Sequence, residues 1–136
     1  ACRLIAEISR IVAVKAAFNT FVPKAHTPLE RAAFLSEDEY LHRRRFIRAR
    51  LDRSRFAAVS FHPWEMSCVE ALLGRGGPAL ASVVERARGL GARMENWSES
   101  FDFGLWRRAP EDEGLDPAAL LGETGESVPP WGFIEI

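Results

Sequence analysis

No apolar run in this 136-residue sequence reaches the roughly 18 to 20 residues that a bilayer-spanning helix needs. No basic start, apolar centre and small-residue cleavage site marks a signal peptide either, so the expectation is no membrane partner and a cytoplasmic protein. Cysteine is scarce: Cys2 and Cys68 lie far apart, without the paired spacings of a disulfide framework or a zinc site, and read as reduced thiols. His26, His42 and His62 are too few and too widely spaced to complete a zinc site, so no metal ligands are expected within the chain. The stretch "GRGG", Gly74 to Gly77, has glycine content but neither the dinucleotide nor the P-loop spacing, and it follows a helical pattern, which makes it a turn between helices. There is no internal repeat.

Basic residues are missing from one end altogether. Residues 1 to 108 hold all eighteen Lys and Arg against twelve acids, a surplus of six positive charges, whereas the remainder has seven acids and no Lys or Arg. The length suits one domain with a core. The chain begins at Ala1 rather than methionine and stops at the apolar "WGFIEI", which is costly to leave exposed, so a piece cut from a longer polypeptide is expected.

What is present alternates between helical and strand patterns. "RLIAEISRIV", residues 3 to 12, puts Leu4, Ile5, Ile8 and Ile11 or Val12 on one helical face. "VAVKAAFNTFV", Val12 to Val22, is small, β-branched and aromatic, and predicts a buried strand stopped by Pro23. Ser36 and Glu39 form a capping box that predicts a helix from about Glu37 to Arg53, acids at its start and arginines towards its end. "RFAAVSFHP" predicts a second strand, about Phe56 to Phe61, and two strands joined by such a helix imply a parallel, right-handed crossover. Beyond Pro63 the chain reads as helices: one ending at Gly74 to Gly77, one starting at Pro78 and ending at glycine, and an aromatic-rich helix or turn with Trp97, Phe101, Phe103 and Trp106. From Pro110 to Pro130 it is acidic and rich in Gly and Pro, with one turn of helix at "DPAALLG".

Lys24, His26 and Thr27 form a polar cluster just past the end of the first strand, where α/β folds gather ligands. Lysine can hold a carboxylate or phosphate, histidine can shuttle a proton near neutral pH, and threonine adds a hydroxyl. The same residues also suit a solvated loop stiffened by Pro23 and Pro28. His62 and Glu70 flank the second strand's end, and His62 is placed to mirror His26 on one rim; packing against the strand is its plainer role. "HRRRFIRARLDRSR", His42 to Arg55, has seven arginines and could neutralise phosphates, though it lacks interleaved aromatic platforms and also suits a solvated helix face. The stripe Trp97, Phe101, Trp106 reads as core or cover rather than a cofactor box.

Four stretches together carry a resemblance: "FNTFVPKAHTPLE", "HPWEMSCVEALLGRGG", "GARMENWSESFDFGLW" and "VPPWGFIEI". In order and separation they resemble the late barrel and following segment of radical S-adenosylmethionine proteins that carry a cobalamin-binding domain. The family's pattern is "FVPKPHTPF", then S-x-hydrophobic-E before an "RGD" turn, then G-x-x-x-x-x-W-x-E-x-F and an "LPW" segment. Ser67, Glu70, Arg75 and Gly76 match the second motif, and Trp97, Glu99 and Phe101 the third; Ala25, Leu29 and Gly77 depart from the family's proline, phenylalanine and aspartate.

The resemblance implies an α/β fold in which this chain is a partial (β/α) barrel fragment: two parallel strands and several helices, then a helical and irregular segment. Residues 1–63 would be the last strands and helices of the barrel, 64–109 a helical post-barrel segment and 110–136 an acidic, truncated tail. Val12 to Val22 would be the sixth barrel strand, walling the adenine side, with Asn19, Lys24, His26 and Thr27 on the substrate and cofactor rim and His62, Glu70 and Arg75 as secondary candidates. The implied cofactors of the parent protein are S-adenosylmethionine and a 4Fe-4S cluster, with cobalamin possible. The cluster is held by a CxxxCxxC triad that Cys2 and Cys68 cannot make, so the fragment is expected to be inactive without a missing N-terminal part of the same polypeptide, its expected partner together with an unknown substrate. The competing reading is a small RNA-binding or assembly module using the Arg-rich helix 43–55. A third is a fragment with no activity of its own that exposes an unpaired sheet edge.

Overall fold

The computed structural model of the chain describes residues 1–51, 57–93, 99–122 and 131–132. The residues divide into two compact units, Ala1–Phe21 with Leu35–Ser67 and Val22–Phe34 with Cys68–Ile136. Helix and parallel strand mix as expected of an α/β chain.

The first unit opens with α1 (Cys2–Ile8), followed by β1 (Val14–Phe18), α2 (Glu37–Leu51) and β2 (Ala57–Phe61). β1 and β2 pair in parallel, from Val14↔Ala57 to Phe18↔Phe61. Such a pair needs a long connection, and α2 supplies the regular part of it. Its start is the expected one: the Ser36 hydroxyl accepts from the Glu39 backbone N–H at 3.3 Å. The other half of the capping box is replaced, because the Glu39 carboxylate pairs with Arg43 one turn along.

Both early elements are shorter than the apolar pattern predicts. α1 stops at Ile8 rather than running to residue 12, and the buried Ser9 hydroxyl bonds back to the Ala6 carbonyl at 2.9 Å, giving the backbone a local alternative to further helix. Ile11 and Val12 are left 89% and 56% exposed, outside both helix and strand. The strand expected over Val12 to Val22 spans only five residues and is not buried throughout. Val14, Ala16 and Phe18 are half-buried while Lys15 and Ala17 are exposed, the alternation of a strand covered on one face. Opposite them Ala58 and Ser60 are exposed too. Phe56, where the second strand was expected to begin, lies outside the described residues, as does the expected end of α2 at Arg53.

α3 (Trp64–Arg75) gives its first turn to the first unit and the remainder to the second. In the second unit a single 3-10 turn, Gly77–Ala79, leads into α4 (Leu80–Leu90), then come α5 (Phe103–Asp112) and the short α6 (Pro117–Leu121). The core joins Val69 and Leu72 of α3, Leu80, Val83 and Ala87 of α4, Ala92, and Trp106 and Ala109 of α5. Trp106 is therefore core, as its helical spacing suggested; Trp97 lies outside the described residues. Each fully buried side chain of Val or Leu size contributes about 1.5–3 kcal/mol, so this cluster outweighs every exposed ion pair in the unit. α4 ends as expected at a glycine: Gly91 takes φ 121°, and Ala92 N–H and Gly91 N–H reach back to the Ala87 and Arg88 carbonyls.

Gly76 is needed for a different reason, because a Cβ there would come within 2.3 Å of the buried Leu80 side chain. Gly76→Ala is expected to destabilise the protein by about 1–3 kcal/mol through overpacking, read as a lower urea midpoint at unchanged slope. A midpoint equal to wild type would show that Leu80 repacks freely.

Candidate functional site

Two sets of candidate residues belong to different units. In the first, parallel register brings the carboxyl ends of β1 and β2 to the same sheet edge, and the His62 backbone N–H extends the pairing to the Phe18 carbonyl at 2.9 Å. Asn19, exposed, and Thr20 follow β1 at that edge; His62, half-buried, follows β2. Thr20 is only 9% exposed, and its hydroxyl has no hydrogen-bond partner among the described residues. A buried donor without a partner costs about 1–3 kcal/mol, which makes this hydroxyl a place where a further group would be favoured. Beside the end of β2, Glu37, Tyr40, Leu41, Arg44, Phe61, Pro63, Trp64 and Glu65 line a hollow of about 200 Å³. Its walls are braced by Tyr40 Oη donating to the His62 carbonyl at 3.1 Å and Trp64 Nε1 donating to the Leu35 carbonyl at 2.7 Å.

In the second unit, Lys24, His26 and Thr27 lie on one exposed loop that is tied to itself. Thr27 Oγ1 donates to the Lys24 carbonyl at 2.7 Å, and Glu30 N–H donates to the Thr27 carbonyl at 3.0 Å. His26 takes φ 57°, a left-handed conformation that histidine adopts more readily than most residues. The Glu30 carboxylate holds it there: one oxygen, Oε2, accepts from the His26 backbone N–H at 2.8 Å and from Trp131 Nε1 at 2.9 Å. The indole bond, then the His26 N–H, with a smaller contribution from Arg31, hold the Glu30 carboxyl below its ordinary pKa. The His26 imidazole makes no hydrogen bond to the described residues and faces the field of the Glu30 carboxylate.

Lys24 is less available than the sequence implied. Its ammonium pairs with Glu70, a candidate from a distant stretch, so the loop is charge-balanced rather than anion-attracting. Both side chains are more than half exposed, and such a pair is worth only about 0.2–1 kcal/mol, little enough for a ligand carboxylate or phosphate to displace Glu70.

Arg75 proves to be a buckle. Only 3% exposed, it donates from Nη1 to the Ala32 carbonyl at 2.9 Å and the Leu121 carbonyl at 3.4 Å, closing three chain segments together. Burial lowers its pKa, and its Nε and Nη2 have no partner among the described residues. Glu30 and Trp131 are the residues that sequence reasoning missed. Glu30 sits four positions after His26, a spacing that suits a side chain reaching back to that N–H, but nothing local points to a tryptophan 101 positions away.

Among the described residues no group of three His, Cys, Asp or Glu could hold a metal ion. The chain has only two cysteines, Cys2 half-buried and Cys68 buried, too few to supply the ligand set of an iron–sulfur cluster. No helix among the described residues is long and apolar enough to cross a membrane. Comparison with protein-family models, with curated proteins and with solved structures finds no match to this chain.

Two measurements check the loop. A double-mutant cycle on Lys24→Ala and Glu70→Ala is expected to give a coupling of about 0.2–1 kcal/mol that fades with salt. The tether through Glu30 depends on pH with a definite sign. Its carboxyl pKa is depressed on folding, so its stabilisation is full above the ordinary carboxylate value and is lost as pH falls through the lower folded one. The Trp131 indole N–H resonance should therefore shift on acidification from about pH 7 to about pH 3, and Glu30→Gln should abolish the shift. A resonance that stays constant in the wild type would contradict the tether.

Proposed function

We propose that this chain forms late strands and the following segment of a radical S-adenosylmethionine enzyme of the type that carries a cobalamin-binding domain. In this reading the protein is a partial (β/α) barrel. The exposed sheet face of Lys15, Ala17, Ala58 and Ser60 is the barrel interior, and α1 and α2 are on the outside. Asn19, Thr20 and His62 line the carboxyl edge of this sheet, and the Lys24, His26 and Thr27 loop, which belongs to the other unit, is a second candidate contact for substrate or cofactor. The observation that carries the reading is the parallel pair with its shared carboxyl edge, where the Thr20 hydroxyl is buried without a partner. The four sequence stretches support it independently.

The residues present do not fit an iron–sulfur cluster, so in this reading the cluster ligands belong to another part of the polypeptide and this chain contributes binding and orientation only. Within the first unit, Thr20 Oγ1 would bond a polar atom of a bound molecule and His62 would flank it; within the second, the His26 imidazole is a separate candidate for proton transfer. By itself the chain is inactive.

The test is made on the complete gene product. Its coding sequence should contain a CxxxCxxC motif ahead of these residues, and anaerobic protein should show cluster absorbance and cleave S-adenosylmethionine. Thr20→Val and His26→Ala should each slow that cleavage roughly tenfold, about 1.4 kcal/mol, with cluster content unchanged. A gene product lacking the cysteine motif, or full activity in both variants, would defeat the assignment.

A further inference from the structure

The helix α2 packs in an unusual way. The stripe it turns inward is Tyr40, Arg44, Ile47 and Leu51, so a half-buried arginine stands at a position that helical spacing reserves for an apolar side chain. Phe61 accounts for it. The Arg44 guanidinium carbon lies 5.6 Å from the Phe61 ring centroid, and that of Arg48, one turn along, lies 5.5 Å from the same centroid. The ring is itself stacked on Phe18, with centroids 5.4 Å apart and planes inclined by 20°.

Arg45 joins Arg44 and Arg48 around a hollow of about 300 Å³ whose remaining lining residue is Leu41. Among the described residues none of these three arginines is ion-paired, although Arg43 beside them is held by Glu39 and Arg50 lies 4.5 Å over the Phe46 ring. Three positive charges gathered around one hollow repel each other. An exposed cation–π contact offsets only about 0.5–1 kcal/mol, so among the described residues no anion balances the cluster.

We propose that this hollow binds a small phosphorylated molecule, its phosphate held by the Arg44 and Arg48 guanidinium groups with Arg45 at the rim. A carboxylate carries one charge and is matched by a single guanidinium fork, whereas a phosphate or diphosphate has the charge and the oxygens to engage three. A nucleic-acid strand is the poorer occupant. The three arginines ring a hollow instead of tracking a backbone, and both nearby aromatic rings among the described residues are already covered, Phe46 by Arg50 and Phe61 by Phe18 and two arginines. The site lies on α2 and stands whether or not the sheet-edge reading holds.

Calorimetric titration of the purified protein with pyrophosphate at fixed ionic strength tests it. The wild type should bind, and Arg44→Gln and Arg48→Gln should each weaken binding about tenfold. Arg45 stacks on no ring among the described residues, so Arg45→Gln should leave the thermal melt unchanged and weaken binding about threefold, while Arg3→Gln on α1, removing the same charge elsewhere, should leave it within about twofold. Absence of pyrophosphate binding, an equal loss in Arg3→Gln, or tighter binding of a single-stranded oligoribonucleotide than of pyrophosphate overturns the proposal.

Discussion

Two five-residue strands that run in the same direction cannot be joined by a tight turn, and this constraint organises the first unit. The chain must leave the carboxyl end of β1, travel back and enter β2 from the far end. Residues between Phe18 and Ala57 are that journey, and α2 is its return leg. Both strands then finish side by side, which is why Asn19, Thr20 and His62, far apart in sequence, share one edge. The same pairing stacks Phe18 on Phe61 and so builds the aromatic surface on which α2 rests.

α2 is a poor amphipath by composition, with six of its fifteen residues arginine or histidine. Its packing therefore relies on the flat guanidinium groups of Arg44 and Arg48 lying over an aromatic ring, supplemented by Ile47 and the fully buried Leu51. The second unit solves the same problem conventionally, with a core shared by α3, α4 and α5. Its polar component is concentrated in Arg75, which trades hydration for backbone carbonyls, and in Glu30, where one carboxylate oxygen fixes both His26 and Trp131. The loop with the most chemistry-bearing side chains is thus held by a residue that contributes none of that chemistry itself.

Local features were legible in the sequence wherever the cause was local. Ser36 caps α2 because a hydroxyl three residues before an N–H reaches it, Gly91 ends α4 because the chain needs a positive φ there, and "DPAALLG" makes its single turn as α6 with Asp116 capping it. Parallel pairing was legible too, because only a crossover of that length connects two such strands. Length was not. Apolar content alone extended β1 to eleven residues, but a strand lasts only as far as its neighbour offers partners, and β2 offers five.

The residue types and order that place a lysine, a histidine and a threonine after a strand, arginines on one helix and glycines at helix ends were determined by the sequence by itself. Only the tertiary structure decided which of them remain available. Lys24 is engaged because Glu70, 46 positions away, is brought to it, and His26 is held in a left-handed turn by a carboxylate that a distant indole also grips. Arg44, Arg45 and Arg48 are left without a carboxylate among the described residues, whereas Arg43 in the same run has one. Charge availability is a property of pairs in space, and no spacing along the chain encodes the far partner.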